Sequence, residues 1–228
     1  MALEEAGMWP AEFAEAIVHL IPKPTGGRRP VGLLPSLVRV WERIRKPVIV
    51  KWRRANQRDY GWMREGRGAE RSVWTQSVLE EPARGKGCET ASVLLDLVKA
   101  FEQVALSKVW KQGLKHKMPR KLLVLSLEAC AFGRRLTYKG AVSGVAKTLS
   151  AILAGGGQAV DLLLVTLMGG MDEIMKRSEE LAAGCALRGF LVVDDVRLVV
   201  EGPRRKVCKG ILKVTEAAVQ ILEASLLM

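Results

Sequence analysis

Two adjacent carboxylates, Asp194 and Asp195, stand inside the apolar, β-branched run FLVVDDVRLVV at residues 190–200. No other feature restricts the fold as much. The short apolar runs on either side, 190–193 and 196–200, predict two strands, which sets the acids at or beside a tight hairpin. Burying both without compensation would cost several kcal/mol, so either a positive partner or solvent must face them. Residues 92–97, SVLLDL, repeat the pattern: a short strand ends on Asp96, and 98–110 then reads as a helix. Two strands that each deliver a carboxylate to one edge can build an oxygen-ligand site of the kind Mg²⁺ prefers. A solvated turn is the plainer use of an Asp-Asp pair, and the local pattern leaves both open.

With 228 residues, 49% of them hydrophobic, the chain has material for one large domain or two small ones. Its net charge of +12 is unevenly spread. The first twenty residues hold four acids and no Lys or Arg, whereas residues 21–71 hold fourteen Lys/Arg against four Asp/Glu. A concentrated basic block points to a polyanion, either nucleic acid or nucleotide phosphates. Cys88, Cys130, Cys185 and Cys208 lack CxxC spacing and there are two histidines, which argues against zinc and for reduced thiols inside a cell, in nucleus or cytoplasm. The acidic N-terminus carries no signal-peptide pattern. Residues 149–168 are apolar, but Gly155–Gly156–Gly157, Gln158 and Asp161 make them a buried core helix rather than a membrane span, so no membrane partner is expected.

In chain order, 1–14 reads as a leader and 15–21 as a strand. The loop PKPTGGRRP (22–30) gathers Lys23, Arg28 and Arg29 at a turn. Residues 35–57 predict a helix with Leu37, Val40, Trp41, Ile44 and Val48 on its apolar face, Arg39, Arg43, Lys46 and Arg53 opposite, and a kink or break at Pro47. Trp41, Trp52, Trp62 and Trp74 fall among basic residues; rings there can stack on bases, though core packing is their commoner use. A glycine-rich basic loop follows at 60–71. Helices are predicted at 72–81, 120–131, 158–178 and 207–226, a strand at 134–139, and the hairpin at 186–200. GAVSGVAKT (140–148) imitates a phosphate loop, but Val145 and Ala146 stand where Gly should precede Lys147. Strands interleaved with helices give an α/β or α+β fold.

Four stretches in this order resemble a reverse transcriptase of the non-LTR retrotransposon and group II intron type, over roughly residues 15–226. LIPKPTGGRRPVGLL (20–34) is similar to the family's opening block. YGWMREGRGAERSV (60–73) resembles the block written FGFRxGRsteda, with Gly61, Trp62, Gly66 and Arg67 at matching positions. LLDLVKAFEQV (94–104) resembles LDLxKAFDxV, and VVDDV (192–196) takes the place of Tyr/Phe-x-Asp-Asp.

The resemblance implies an α+β right-hand polymerase. A leader (1–14) would precede basic fingers at 15–90. A palm would follow at 91–228, its antiparallel sheet packed on helices, with fingers elements returning at 118–150 and the thumb absent. It implies two Mg²⁺ ions, or Mn²⁺, held mainly by Asp96 and Asp194, with Asp195 as third acid and the Leu97 carbonyl as a further ligand. Lys23 and Arg29 would hold the triphosphate, Phe101 would exclude a 2′-hydroxyl, and Gly156 and Gln158 would support the incoming dNTP. Arg53, Arg64 and Arg67 would contact nucleic acid, the partners being an RNA template and a DNA primer. Alternate strand residues face opposite ways, so Asp194 and Asp195 cannot serve the ions equally. Three departures stand out: Val192 replaces the motif aromatic, Glu102 the second Asp of LDLxKAFD, and GGGQAVDLLL (155–164) only loosely matches the family's glycine block. The expected function is RNA-directed DNA polymerisation by an active or decayed fragment. The alternatives are a catalytically inactive basic nucleic-acid-binding domain on the palm fold, and a template-directed RNA polymerase, against which Phe101 speaks.

Overall fold

The computed structural model describes residues 2–24, 26–61, 68, 70–75, 77–78, 87–148 and 150–226. Trp62, Arg64, Gly66 and Arg67, singled out above, lie outside the described residues. The chain forms two compact units, interleaved in sequence: Met1–Ala55 with Lys99–Val165, and Asn56–Val98 with Thr166–Leu227. This division differs from the expected one at residue 90. Residues 56–61 belong with the second unit because Tyr60 and Arg58 both bond to Asp172, and the Leu191 N–H donates to the Tyr60 carbonyl at 2.7 Å.

The first unit carries a four-stranded sheet in the order β2-β1-β4-β5, formed by β1 (Glu15–Pro22), β2 (Arg28–Leu33), β4 (Gly133–Tyr138) and β5 (Ala141–Val142). β1 pairs antiparallel with β2 and parallel with β4, so the sheet is mixed. The long helix α2 (Ser36–Ala55) runs through Pro47 without a break. It buries Val38, Trp41, Ile49 and Trp52 and leaves Leu37, Val40, Ile44 and Val48 exposed. The apolar face is thus turned from the expected one. Two apolar stripes compete on this helix, and the one holding both tryptophans goes inward because it removes more apolar surface from water.

The residues expected as a leader pack into this unit. Trp9 is buried edge-on to Trp41, with ring centroids 5.5 Å apart, and its Nε1–H donates to the Leu125 carbonyl at 2.9 Å. Glu4, on α1 (Ala2–Ala6), accepts from Trp41 Nε1 at 3.0 Å and from the Arg45 guanidinium, which holds its carboxyl below the usual range against the upward pull of burial. The single helix expected over 98–110 is two, α3 (Ala100–Gln103) and α4 (Leu106–Lys115). They separate where Val104 turns extended and its carbonyl accepts from Ala151 N–H. The helix α5 (Arg120–Cys130) completes the unit, together with the first residues of α6 (Ala159–Lys176).

The second unit is built on an antiparallel sheet in the order β3-β7-β6, from β3 (Glu89–Asp96), β6 (Ala186–Val192) and β7 (Asp195–Gly202). Val196, Leu198 and Val200 alternate onto one buried face. α8 (Arg204–Leu226) packs there, its Gly210 so close to the short helix α7 (Ser178–Leu181) and to β7 that an added Cβ would sit 2.8 Å from the Ala182 carbonyl and 3.2 Å from Val200. Gly189 of β6 meets Met171 and Met175 of α6 in the same way. Among the described residues no helix is long and apolar enough to cross a membrane.

Candidate active site

The register of β3 and β7 sets Asp96 directly opposite Asp195. Opposed residues of an antiparallel pair share a face, with Cα atoms about 4.5–5.5 Å apart. Both acids are exposed at the end of the sheet, on the face that also carries Leu94, Arg197 and Ser92, where Arg197 Nη2 donates to Ser92 Oγ at 3.1 Å. Asp194 is half-buried in the two-residue turn Val193–Asp194 that joins β6 to β7. Val193 holds φ 58°, which the tight turns of two-residue hairpins require at their first central position and which β-branched residues rarely adopt. Leu97 follows β3 and is half-buried. The structure therefore brings Asp96 together with the tandem pair and faces it with Asp195, while Asp194 occupies the turn. Among the described residues, no three His, Cys, Asp or Glu side chains gather closely enough to hold a metal ion. The acids form a facing pair and a third carboxylate beside it, not a closed cage.

The other predicted residues belong to the first unit, where their positions divide sharply. Gln158 is 2% exposed and its Oε1 is bonded to Ser126, so it is turned into the core and not toward a ligand. Arg53 is committed to Asp161: Nε and Nη2 reach the two carboxylate oxygens at 2.7 and 2.8 Å, and Asp161 is 1% exposed. That fork holds α2 to the first turn of α6. Burial leaves the Asp161 carboxyl above its ordinary range, with Arg53 pulling the other way. Gly156 lies against Leu34 and Glu42. Its neighbour Gly155 is the position where glycine is required, since φ is 113° and a Cβ would stand 2.3 Å from the Gly32 carbonyl oxygen.

Glu42 is a side chain of this region that sequence reasoning missed. It reaches from α2 to the backbone N–H groups of Gly157 and Gln158, at the opening of α6. Burial raises its carboxyl above the ordinary range, and those two N–H donors together with Arg39 draw it down. The only sequence signal was an acid inside an otherwise basic helix. Lys23 and Arg29 are exposed at the hairpin joining β1 to β2, and Phe101 is half-buried on α3, its carbonyl accepting from Ile152 N–H at 2.7 Å. Trp41 and Trp52 are core residues, whereas Trp74 is 69% exposed.

No family model matches the sequence, and no curated protein matches it. Solved structures do match the fold. The structure of apo telomerase from Candida tropicalis, truncated from its C-terminal domain, has a TM-score of 0.61 against this chain and covers 93% of it at 12% identity. At that identity the likeness is one of fold alone. The chain spans about half of that telomerase structure, 48% of its length. Within this fold the acid-bearing hairpin and the strand ending on Asp96 are neighbours in one sheet.

Proposed function

We propose that the chain is a fingers–palm fragment of an RNA-directed DNA polymerase, of the non-LTR retrotransposon and group II intron type, joining dNTPs to a primer 3′-hydroxyl. The observation that carries this reading is the facing of Asp96 and Asp195. Like charges directly opposite each other on paired strands are unfavourable, and an oxygen-only donor set suits a hard divalent cation that relieves the repulsion. Asp96 and Asp195 would hold Mg²⁺, with the Leu97 carbonyl as a further oxygen and Asp194, at the turn, adding negative charge beside the pair. When bound, such ions supply the charge that makes a hydroxyl more acidic and stabilises a leaving pyrophosphate. Lys23 and Arg29, exposed and cationic, would neutralise and orient the triphosphate, and Phe101 would bar a 2′-hydroxyl. Gly155 and Gly156 shape the loop before α6, which Glu42 and Arg53 hold in place.

The inward turn of Gln158 favours a second reading, a basic nucleic-acid-binding domain that has kept the fold without the chemistry. Extension of a DNA primer on an RNA template with Mg²⁺ separates the two. Wild type should incorporate dNTPs. Asp195→Asn and Asp194→Asn should each lower the rate by roughly a thousandfold, the scale of losing several kcal/mol of charge stabilisation. Equal extension by all three proteins would remove the catalytic assignment. Salt-sensitive RNA binding without extension by wild type would favour the second reading.

A further inference from the structure

The parallel pairing of β1 with β4 brings two hairpin tips to one end of the first sheet. β1 leaves the sheet at Pro22 and returns as β2 at Arg28, while β4 leaves at Tyr138 and returns as β5 at Ala141. The second tip is the two-residue turn Lys139–Gly140, with φ 47° and 83°, the pair of positive values that a type I′ hairpin turn needs. Arg28 reaches over the Tyr138 ring with its guanidinium carbon 3.8 Å from the centroid, and Lys139 Nζ lies 5.6 Å from the same centroid. Arg28 and Lys139 are exposed beside this ring, and Lys23 and Arg29 are exposed on the same hairpin as Arg28.

Acids are absent from both contributing stretches: residues 16–41 and 129–160 contain no Asp or Glu. Of the four acids that bracket them, Glu15, Glu42, Glu128 and Asp161, three are engaged elsewhere. Glu15 pairs with Arg135 at the opposite end of β1, Glu42 meets Gly157 and Gln158, and Asp161 is taken by Arg53. The sheet end is a cationic rim with the Arg28 guanidinium over the Tyr138 ring at its centre. Phosphates suit the cations, and an unpaired base suits the stack, because every base offers a π-face to an aromatic or guanidinium plane.

We propose that the paired hairpin tips, with Arg28, Tyr138 and Lys139 at their centre, bind single-stranded nucleic acid. The site rests on the nucleic-acid part of the reading above and not on catalysis, so it is tested with EDTA present and dNTPs omitted. A fluorescein-labelled oligouridylate of about twelve nucleotides, within the span such surfaces cover, is titrated by anisotropy beside a duplex RNA of the same length. Tyr138→Ala should weaken single-strand binding about tenfold and duplex binding much less, whereas Tyr138→Phe keeps the ring and should bind as wild type does. Arg28→Ala and Lys139→Ala should each flatten the dependence of log affinity on log salt by about 0.7, the value of one phosphate contact on a single strand. Lys213→Ala, an exposed cation on α8, serves as control and should change nothing. Single-strand affinity within twofold of wild type for the Arg28→Ala, Tyr138→Ala, Lys139→Ala triple variant would overturn the proposal, as would equal loss on single strand and duplex.

Discussion

Asp195 faces a like charge across a paired strand, and that opposition makes a prediction without any enzymology. In the absence of divalent cations, Asp195→Asn or Asp96→Asn should stabilise the fold by a few tenths of a kcal/mol, read as a higher denaturant midpoint at unchanged slope. Gly155→Ala should act in the opposite direction and more strongly. Its positive φ and the Gly32 carbonyl 2.3 Å from the new Cβ imply a loss of about 2 kcal/mol or more, seen as a lower midpoint. The acids themselves were legible in the sequence because a paired carboxylate breaks an apolar run. Which of the tandem pair faces Asp96 was not. The resemblance favours Asp194 as the partner of Asp96, whereas the two-residue loop with Val193 at φ 58° sets Asp195 opposite. Gly155 was equally hidden, since its requirement comes from a strand more than a hundred residues earlier.

At the scale of one element, α2 shows how far periodicity reaches. Its existence and bounds could be read from spacing, yet its buried face could not, because two apolar stripes satisfy the same period and bulk decides between them. Of its polar residues Arg53 is the one expected to contact nucleic acid, and both Arg53 and Glu42 bond to the opening of α6. Arg53→Ala should cost about 3 kcal/mol in chemical denaturation, since it strands a buried carboxylate, with Arg53's partial exposure trimming the value. Adding Asp161→Asn to that variant should recover part of the loss. For Glu42 the sign follows from its raised carboxyl. The folded state binds the proton more tightly than the unfolded chain, whose carboxyl titrates near 4.5, so this stabilisation is complete below that pH and is lost as pH rises through the folded value. Midpoints measured across that window should fall with rising pH in wild type and fall less in Glu42→Gln.

On the scale of the whole molecule, the order of motifs was readable while the assembly was not. Four motif-like stretches in sequence order pointed to a reverse-transcriptase-type fold, and the likeness to the telomerase structure is at that level. The grouping of residues 99–165 with 1–55 is wider than the return at 118–150 that the resemblance implies, and it rests on pairings distant in sequence, β1 with β4 and Arg53 with Asp161. The uneven charge predicts that affinity for RNA falls steeply with salt, and the position of the acid-free stretches puts much of that dependence on the first unit.

Direct measurement of cation binding tests the central claim, that Asp96 and Asp195 make one cation site at the end of a sheet. Mn²⁺ titrated into the protein and followed by water-proton relaxation should show saturable binding in wild type, weakened at least about tenfold by Asp96→Asn and by Asp195→Asn alike. Binding that either substitution leaves unchanged, or that only one of them weakens, would mean that the two carboxylates do not share an ion.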